Sequence, residues 1–599
     1  MQKLTLRTLL CAAVILLTLS ALATAQTTAH IQPAGTTSIG TSQMGNAAGG
    51  VEIDPAFSSD SDSSSDAVGY VSINRSIAKK HGVSGGVVNG AKAKSTAVLT
   101  QTFDALNLYA QRYANGGNQF TVEPPDQGLC VGNGFVMETV NDVLRVYSTA
   151  GNALTGPVDL NSFYGYPAAI NRTTLAYGPS ITDPSCYYDA QTKRFYHVVL
   201  TLDRVGTTSA LTGRNHLDIA VSNTSSPLGT WTIYKLDVTD DGANGTPNHH
   251  CPGGPCLGDY PHIGADGYGF YITTNEFAFY DGYYASQIYA LSKRALAAGG
   301  TVAYSQLDTG TYLDANGLPG FTVWPSVSAP GQYDTDNKGT EFFLSSDAVF
   351  YDSGFDNQIR QWTLTNTSSL DSASPNLSLS FTFIPVTGYG VPPKSTQKAG
   401  NYPLGQALGD SEPEQLDSND SRMQQVYYAN GNLWAALDTG VTFDGVNVLA
   451  GAAYFVVNPN SHKVVNQGYI AVPNNNVTYP AIAATSSGRG AVAFTLTGPD
   501  FYPSAAYAGV DSLVGAGAVQ LAAAGAGPWD GFTGYPQYSS RSRWGDYGAA
   551  VVDGSNIWTA SEYIGQTCTL AQWEADFTCG GTRAQLGNWG TRISQLNIK

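Results

Sequence analysis

Residues 183–236 contain four short runs: DPSCYYD (183–189), RFYHVVLTL (194–202), LDIAVSN (217–223) and TWTIYKL (230–236), separated by loops carrying Gly, Thr, Ser and Pro. Each run alternates apolar and polar residues or is apolar throughout. That is the signature of strands packed on one or both faces. Four such runs in succession make one antiparallel unit, and the pattern recurs along the chain. It returns at Tyr260–Ala265, Phe270–Phe279, Gln287–Lys293 and Val302–Leu307, then at Val323–Ala329, Thr340–Val349, Gln358–Asn366 and Leu377–Val386. Two further sets run from Met423 to Val472 and from Tyr479 to Ala522. An earlier set starts at Asp126 and ends near Val158. Repetition of a four-strand unit predicts an all-β fold, a single β-propeller of about seven blades.

The last set is one strand short: Tyr547–Asp553, Asn556–Ile564 and Thr591–Ile598 precede the end of the sequence. Ala97–Leu106 belongs to no other set. Pairing it with the last set predicts a ring closed by an N-terminal strand, which removes an exposed sheet edge. A phrase also recurs where first strands open: Asp183-Pro184, Tyr260-Pro261, Trp324-Pro325 and Tyr479-Pro480, with Arg543-Trp544-Gly545-Asp546-Tyr547 in the last set. Proline at the first residue of a strand costs no ladder hydrogen bond.

Outside the repeats, Lys3 and Arg7 lead into an apolar run from Leu9 to Leu22, followed by Ala23-Thr24-Ala25. This order predicts a signal peptide over residues 1–25 and a secreted, extracellular or periplasmic, product. A membrane anchor is the competing reading, but the run is short for a bilayer. No later stretch is apolar enough to span, so no transmembrane segment is expected after signal removal. Residues 26–94 are rich in Gly, Ser, Thr and Ala and include the run Ser58–Asp66, which reads as a low-complexity linker or leader. The propeller domain is then 95–599.

The net charge of −17 opposes nucleic-acid phosphates and anionic membranes, so no nucleic-acid partner is expected. A monomer is expected. Acidic residues could supply Ca2+ sites, although no EF-hand loop is present and no cofactor is required. Of seven cysteines, Cys11 lies in the signal. The remaining six suit an oxidising compartment, with Cys251/Cys256, Cys568/Cys579 and Cys130/Cys186 as candidate disulfides. A zinc site using His249, His250, Cys251 and Cys256 is the rival.

In a propeller the first-strand entries and the second-strand ends share one face, around the channel. The entries are Asp126, Asp183, Asp259, Trp324, Arg422, Arg543 and Asp546. The ends are Asn141, Asp203, Arg204, Glu276, Asp438 and Glu562. Thr273-Thr274-Asn275-Glu276-Phe277 and Thr559-Ala560-Ser561-Glu562-Tyr563 echo each other at equivalent places. Carboxylates with arginines and aromatics are what a polar pocket with acid–base groups requires. The candidate catalytic residues are Glu562, Glu276, Asp546 and Asp183. The candidate substrate-binding residues are Arg543, Arg422, Trp324, Tyr547, His262 and Asp259. Each also has a purely structural reading as a strand-end carboxylate, a blade-to-blade tie or a core ring. No Gly-x-Ser-x-Gly, His-Glu-x-x-His or Walker phrase occurs.

Ser222-Asn223-Thr224-Ser225-Ser226-Pro227-Leu228-Gly229-Thr230-Trp231 falls at the turn between the third and fourth runs of its set. It resembles the Asp-box turn of sialidase-like propellers, Ser-x-Asp-x-Gly-x-Thr-Trp, in its Gly-Thr-Trp half, while the Asp is missing and the spacing longer. Its Pro-x-Gly-x-Trp phrase is also similar to those of five-bladed glycoside hydrolases. The sialidase Arg-Ile-Pro phrase is absent, and Arg422, Arg543 and Arg592 could only imitate that family's arginine triad. The resemblance implies a glycan or polysaccharide partner and a hydrolase using two opposed carboxylates. A non-catalytic carbohydrate- or protein-binding propeller, using the polar face or the Tyr280–Tyr284 loop, is the first alternative. A polysaccharide lyase using Tyr260, His262 and Arg543 is the second.

Overall fold

The computed structural model describes residues 26–40, 43–45, 70–72, 86–87 and 97–598 apart from 253, 280, 281, 539 and 540. The expected signal peptide, the Ser58–Asp66 run and Tyr280 lie outside these residues. The chain is a β-propeller. Among the described residues seven antiparallel units follow one another. Unit one comprises Gly128–Gly132, Phe135–Val140, Val143–Ser148 and Val158–Asp159. Unit two has Ser180–Asp189, Arg194–Arg204, Leu211–Ser222 and Thr230–Asp237. Unit three has Cys256–Ala265, Gly269–Ala278, Tyr283–Ser292 and Val302–Asp308. Unit four has Phe321–Ser328, Thr340–Ser346, Phe355–Thr365 and Ser378–Gly390. Unit five has Met423–Ala429, Asn432–Thr442, Val448–Asn458 and Lys463–Ala471. Unit six has Asn476–Ala484, Arg489–Gly498 and Phe501–Asp511, with its outer edge split into Gly515–Ala516 and Gln520–Ala523. Unit seven has Ala549–Asp553, Asn556–Tyr563 and Gly590–Ile598.

Ala97–Asn107 pairs antiparallel with Gly590–Ile598, from Ala97 opposite Ile598 to Asn107 opposite Gly590. First strands touch their successors around the axis, and that of unit seven touches that of unit one. They run parallel there, as Ser326–Ser328 beside Val426–Tyr428 shows. Adjacent sheets bury their facing apolar side chains. Tyr196, Val198, Leu217 and Ile219 of unit two pack with Phe270, Ile272 and Tyr289 of unit three. Each such residue contributes about 1.5–3 kcal/mol by leaving water.

Parts of 26–94, expected as a low-complexity linker or leader, pair with the units as strands. Gln26–Ile31 adds a fifth strand to unit three, against Val302–Leu307, and Pro33–Ser38 adds one to unit two, against Thr230–Tyr234. Tyr70–Ser72 lies beside Gly440–Thr442, and Gly86–Val87 beside Ile470 and Ala471. The reason is backbone pairing: an outer edge offers free N–H and C=O groups to any extended segment, whatever its side chains.

The cysteines pair as Cys130–Cys186, Cys251–Cys256 and Cys568–Cys579, with Cα separations of 5.3, 5.4 and 6.2 Å. Cys251 and Cys256 are therefore not thiolates, and the zinc site built on them is set aside. The Gly-Thr-Trp turn sits between the third and fourth strands of unit two. Trp231 is buried there and donates its indole N–H to Pro227 O at 2.8 Å. Among the described residues no helix is long and apolar enough to cross a membrane.

Candidate functional site

At three of its four occurrences the recurrent Pro phrase makes a bulge rather than a strand start, and in unit four the bulge comes just before it. In unit two Asp183 and Pro184 together oppose Val199, in unit three Tyr260 and Pro261 oppose Thr274, and in unit six Tyr479 and Pro480 oppose Phe494. Thr322 and Val323 do the same opposite Ser345. In each bulge the first residue is left-handed, with φ of 54° at Asp183, 35° at Tyr260, 50° at Thr322 and 56° at Tyr479. For residues with a Cβ this costs of order 1–3 kcal/mol apiece. Side chains from second-strand ends hold the bulges. Asn141 Oδ1 accepts from the Asp183 N–H at 2.9 Å, Asp438 Oδ1 from Tyr479 N–H at 2.8 Å, and Asn275 Nδ2 donates to Thr322 Oγ1 at 2.9 Å. A ring of strained backbone at one mouth of the channel is thus over-determined by polar ties, the usual setting of a functional site.

Aromatic rings fill the axis behind that ring. His262 stacks on Trp324 at 3.6 Å between centroids, with Tyr260 edge-on at 4.4 Å and Tyr547 at 6.0 Å. Burial and the nearby Arg422 cation hold the His262 imidazole well below its ordinary pKa, so it is neutral. Beyond the rings lies a cavity of about 80 Å3 lined by Cys130, Tyr187, Ile263, Tyr427 and Val551. That is room for a few waters, not a sugar ring. Trp324, Tyr547 and His262, expected to line an open pocket, are buried as an axial plug. Asp183 and Asp259 are buried too.

The polar groups lie on the mouth side of the plug. Arg543 pairs with Asp546 at 2.5 Å, and Asp546 N–H donates to Asp126 Oδ1 at 2.9 Å. Arg422 grips Asp420 with two nitrogens, at 2.9 and 2.6 Å, and reaches Tyr260 Oη at 2.7 Å. Asn419 Nδ2 donates to Asp546 O at 3.2 Å. The Asp546 side chain is 21% exposed, against 6% for Arg543. Arg592 is elsewhere, paired with Asp104 at 2.6 Å on the strands where the chain's two ends meet, and completes no triad.

Next to Asp546, Glu562 is 2% exposed. Its Oε2 accepts the Gly545 N–H at 2.7 Å, and its Oε1 has no hydrogen-bond partner. Burial, with Glu123 and Asp546 close by, raises its pKa well above the ordinary carboxylate value and favours the protonated form. Glu123, which the sequence did not single out, is also buried. It accepts from Thr533 N and Oγ1 at 3.2 and 2.9 Å, and burial pushes it up to about 8. Both lie under loops packed over this side of the mouth. Leu416, Tyr479, Trp529, Trp544 and Ile564 form one cluster there, and Leu404, Phe532, Tyr535, Trp573 and Leu586 another. Asp530, paired with Arg583 at 2.7 Å, caps the helix Pro403–Leu408 through the Leu404 and Gly405 N–H groups.

Glu276 does not join Glu562. Successive side chains of a strand point to opposite faces. Asn275 faces unit four, and Glu276 faces back toward the loop between units two and three. There it accepts from Gln287 Nε2 at 2.8 Å and lies 2.9 Å from His249 Nδ1. Asp240, His249 and Glu276 present ligand atoms within 4.8 Å of one another, so this second cluster could hold a metal ion. Asp240 carried no signal in the sequence: a loop alone brings it to the glutamate.

No known protein family matches the sequence, and no curated protein matches it either. Solved structures similar to the chain include an arabinanase of Bacillus subtilis, at 15% identity and a TM-score of 0.24, over 52% of this chain and 88% of that one. The endosialidase of phage phi92 is similar at 10% identity and a TM-score of 0.29, over 84% and 69%. The quinohemoprotein alcohol dehydrogenase of Comamonas testosteroni is similar at 10% identity and a TM-score of 0.34, over 89% and 75%. Superpositions this partial assign neither a family nor an activity, and the propeller is read from the chain's own strand pairing.

Proposed function

We propose that the chain is a secreted glycan-acting hydrolase whose site is the mouth formed by Glu562, Asp546, Arg543 and Arg422. The observation that carries this reading is the pairing of unlike carboxyls on either side of Gly545. Burial raises the Glu562 pKa and leaves its Oε1 without a hydrogen-bond partner, whereas Asp546 is ion-paired and meets solvent. Glycosidic cleavage needs such a division, one carboxylic acid to protonate the leaving oxygen and one carboxylate as base or nucleophile. In this reading Glu562 is the acid, Asp546 the carboxylate, and the two arginines hold polar or acidic substituents. Because Glu562 is 2% exposed, substrate has to displace the groups that cover it.

A non-catalytic carbohydrate-binding propeller is the second reading, favoured by the ring stack that fills the axis. The lyase reading loses support because Tyr260 and His262 lie in that stack, and His262, held neutral by burial, contacts Trp324. The test is release of sugar from sialylated, neutral and uronate glycans by wild type and Glu562→Gln. Activity lost only in the variant supports the hydrolase, binding without turnover the second reading, and an unsaturated product the lyase.

A further inference from the structure

We infer that Asp240, His249 and Glu276 form a binding site for one divalent transition-metal ion, zinc foremost, separate from the channel mouth. His249 Nδ1 lies 3.0 and 2.9 Å from the two Glu276 oxygens and 3.4 Å from Asp240 Oδ2. Two ligands each ~2.0–2.1 Å from a zinc ion stand roughly 3.0–3.4 Å apart across angles between octahedral and tetrahedral. The spacing therefore suits a small ion bound by nitrogen and oxygen. Calcium takes six to eight oxygens at longer range and does not seek imidazole.

The surroundings are built for a cation. Asp240 and Glu276 are buried, and Asp240 Oδ1 has no hydrogen-bond partner. Among the described residues no Lys or Arg is ion-paired with either carboxylate, and His249 is their one basic neighbour. Two carboxyls and an imidazole converging on one point are a nitrogen-and-oxygen donor set that suits a small divalent ion. Amides fix the carboxylates from behind. Gln306 Nε2 donates to Asp240 Oδ2 at 2.7 Å, and Gln287 Nε2 to Glu276 Oε2 at 2.8 Å and to Asp308 Oδ1 at 2.9 Å. On the far side of the imidazole, Asp308 Oδ2 is 4.0 Å from His249 Nε2, a further negative group near the ring. Tyr284 stacks on the same ring at 5.6 Å. The loop is also closed on itself. His249 N–H donates to Asp240 O at 3.0 Å, and the Cys251–Cys256 disulfide with Cys256 N–H on Thr239 O anchors its return to unit three. The ion would pin this loop to the sheet.

The test uses the full mature chain. It is stripped with chelator, then titrated calorimetrically with Zn2+ and, separately, with Co2+ while visible bands are recorded. One equivalent of each is expected, with the intense d–d bands of low-coordinate cobalt. His249→Ala and Glu276→Gln should each weaken binding by at least about a hundredfold. The exposed neighbour variant His250→Ala should bind as wild type. Near-UV circular dichroism checks folding, and Asp240→Asn replaces any variant that fails it. Absence of binding at 100-fold molar excess, preference for Ca2+ over Zn2+, or unchanged affinity in folded His249→Ala and Glu276→Gln would each overturn the assignment.

Discussion

Replacing Leu106 by Ala should destabilise the whole ring, because this side chain sits where the first and last units meet. Leu106 is fully buried among Leu108, Val140, Val143, Ala584 and Trp589, which belong to the first and last units and their loops. Its N–H donates to Glu138 Oε2 at 2.9 Å in unit one, and its O accepts from Thr591 Oγ1 at 2.9 Å in unit seven. Deleting the branched end of a fully buried leucine costs about 3–5 kcal/mol, transfer and cavity together. Unfolding entropy scales to about 1 kcal/mol per kelvin for roughly 500 residues, so Tm should fall by about 3–5 °C. Val98→Ala, in the same strand but 39% exposed, should shift Tm by less than about 1 °C. Differential scanning calorimetry of both variants checks this. Equal Tm values for the two would refute the reasoning that the strand Ala97–Asn107 holds the ring through its buried end.

Three further outcomes are expected. Burial holds Glu123 at about 8 and Glu138 and Asp142 each at about 7, so the folded chain keeps protons that the unfolded chain sheds above pH ~4. The stability these groups lend is complete below that value and falls toward pH 8, by about 1.4 kcal/mol per pH unit per group; Tm should be lower at pH 8 than at pH 5, and a rise would contradict the assignment. Removing Gln26–Ser38 uncovers the edges Thr230–Tyr234 and Val302–Leu307, so sedimentation should show concentration-dependent association absent from the intact chain. Thiol titration of the denatured mature chain should find no free cysteine before reduction and six after it, since Cys130, Cys186, Cys251, Cys256, Cys568 and Cys579 are all paired.

The propeller was legible because each unit writes its strands as period-two or wholly apolar runs, and Gly229-Thr230-Trp231 marks a turn whose Trp is an anchor. Gln26–Ile31 and Pro33–Ser38 were not legible. They bury little beyond Ile31, their outward residues are polar, and backbone pairing with a few bonds from Gln26 holds them. The Pro phrase located the first strands but not their bulges, because the left-handed residues before Pro184 and Pro480 are held by Asn141 and Asp438, side chains far off in sequence. At the site, Arg543, Asp546 and Glu562 were legible as one neighbourhood, being near in sequence or across adjacent strands. Glu276 was misplaced by its echo of Glu562. Equivalent positions in a repeat share a backbone, but the loops that cover them differ, and the loop from Asp240 to His249 gives Glu276 partners of its own. Glu123 gave no signal: its surroundings come from Thr533, 410 residues later in the chain.

In the proposed hydrolase, Glu562 is the general acid at the channel mouth. The direct measurement is sugar release by the purified mature chain from sialylated, neutral and uronate glycans, with Glu562→Gln and the exposed Glu574→Gln beside it, each checked for an unchanged melt. The account predicts turnover by wild type and Glu574→Gln on at least one glycan class, and a loss of about 100-fold or more in Glu562→Gln. A folded Glu562→Gln that matches wild type, or a wild type that binds glycan and releases nothing, would contradict it.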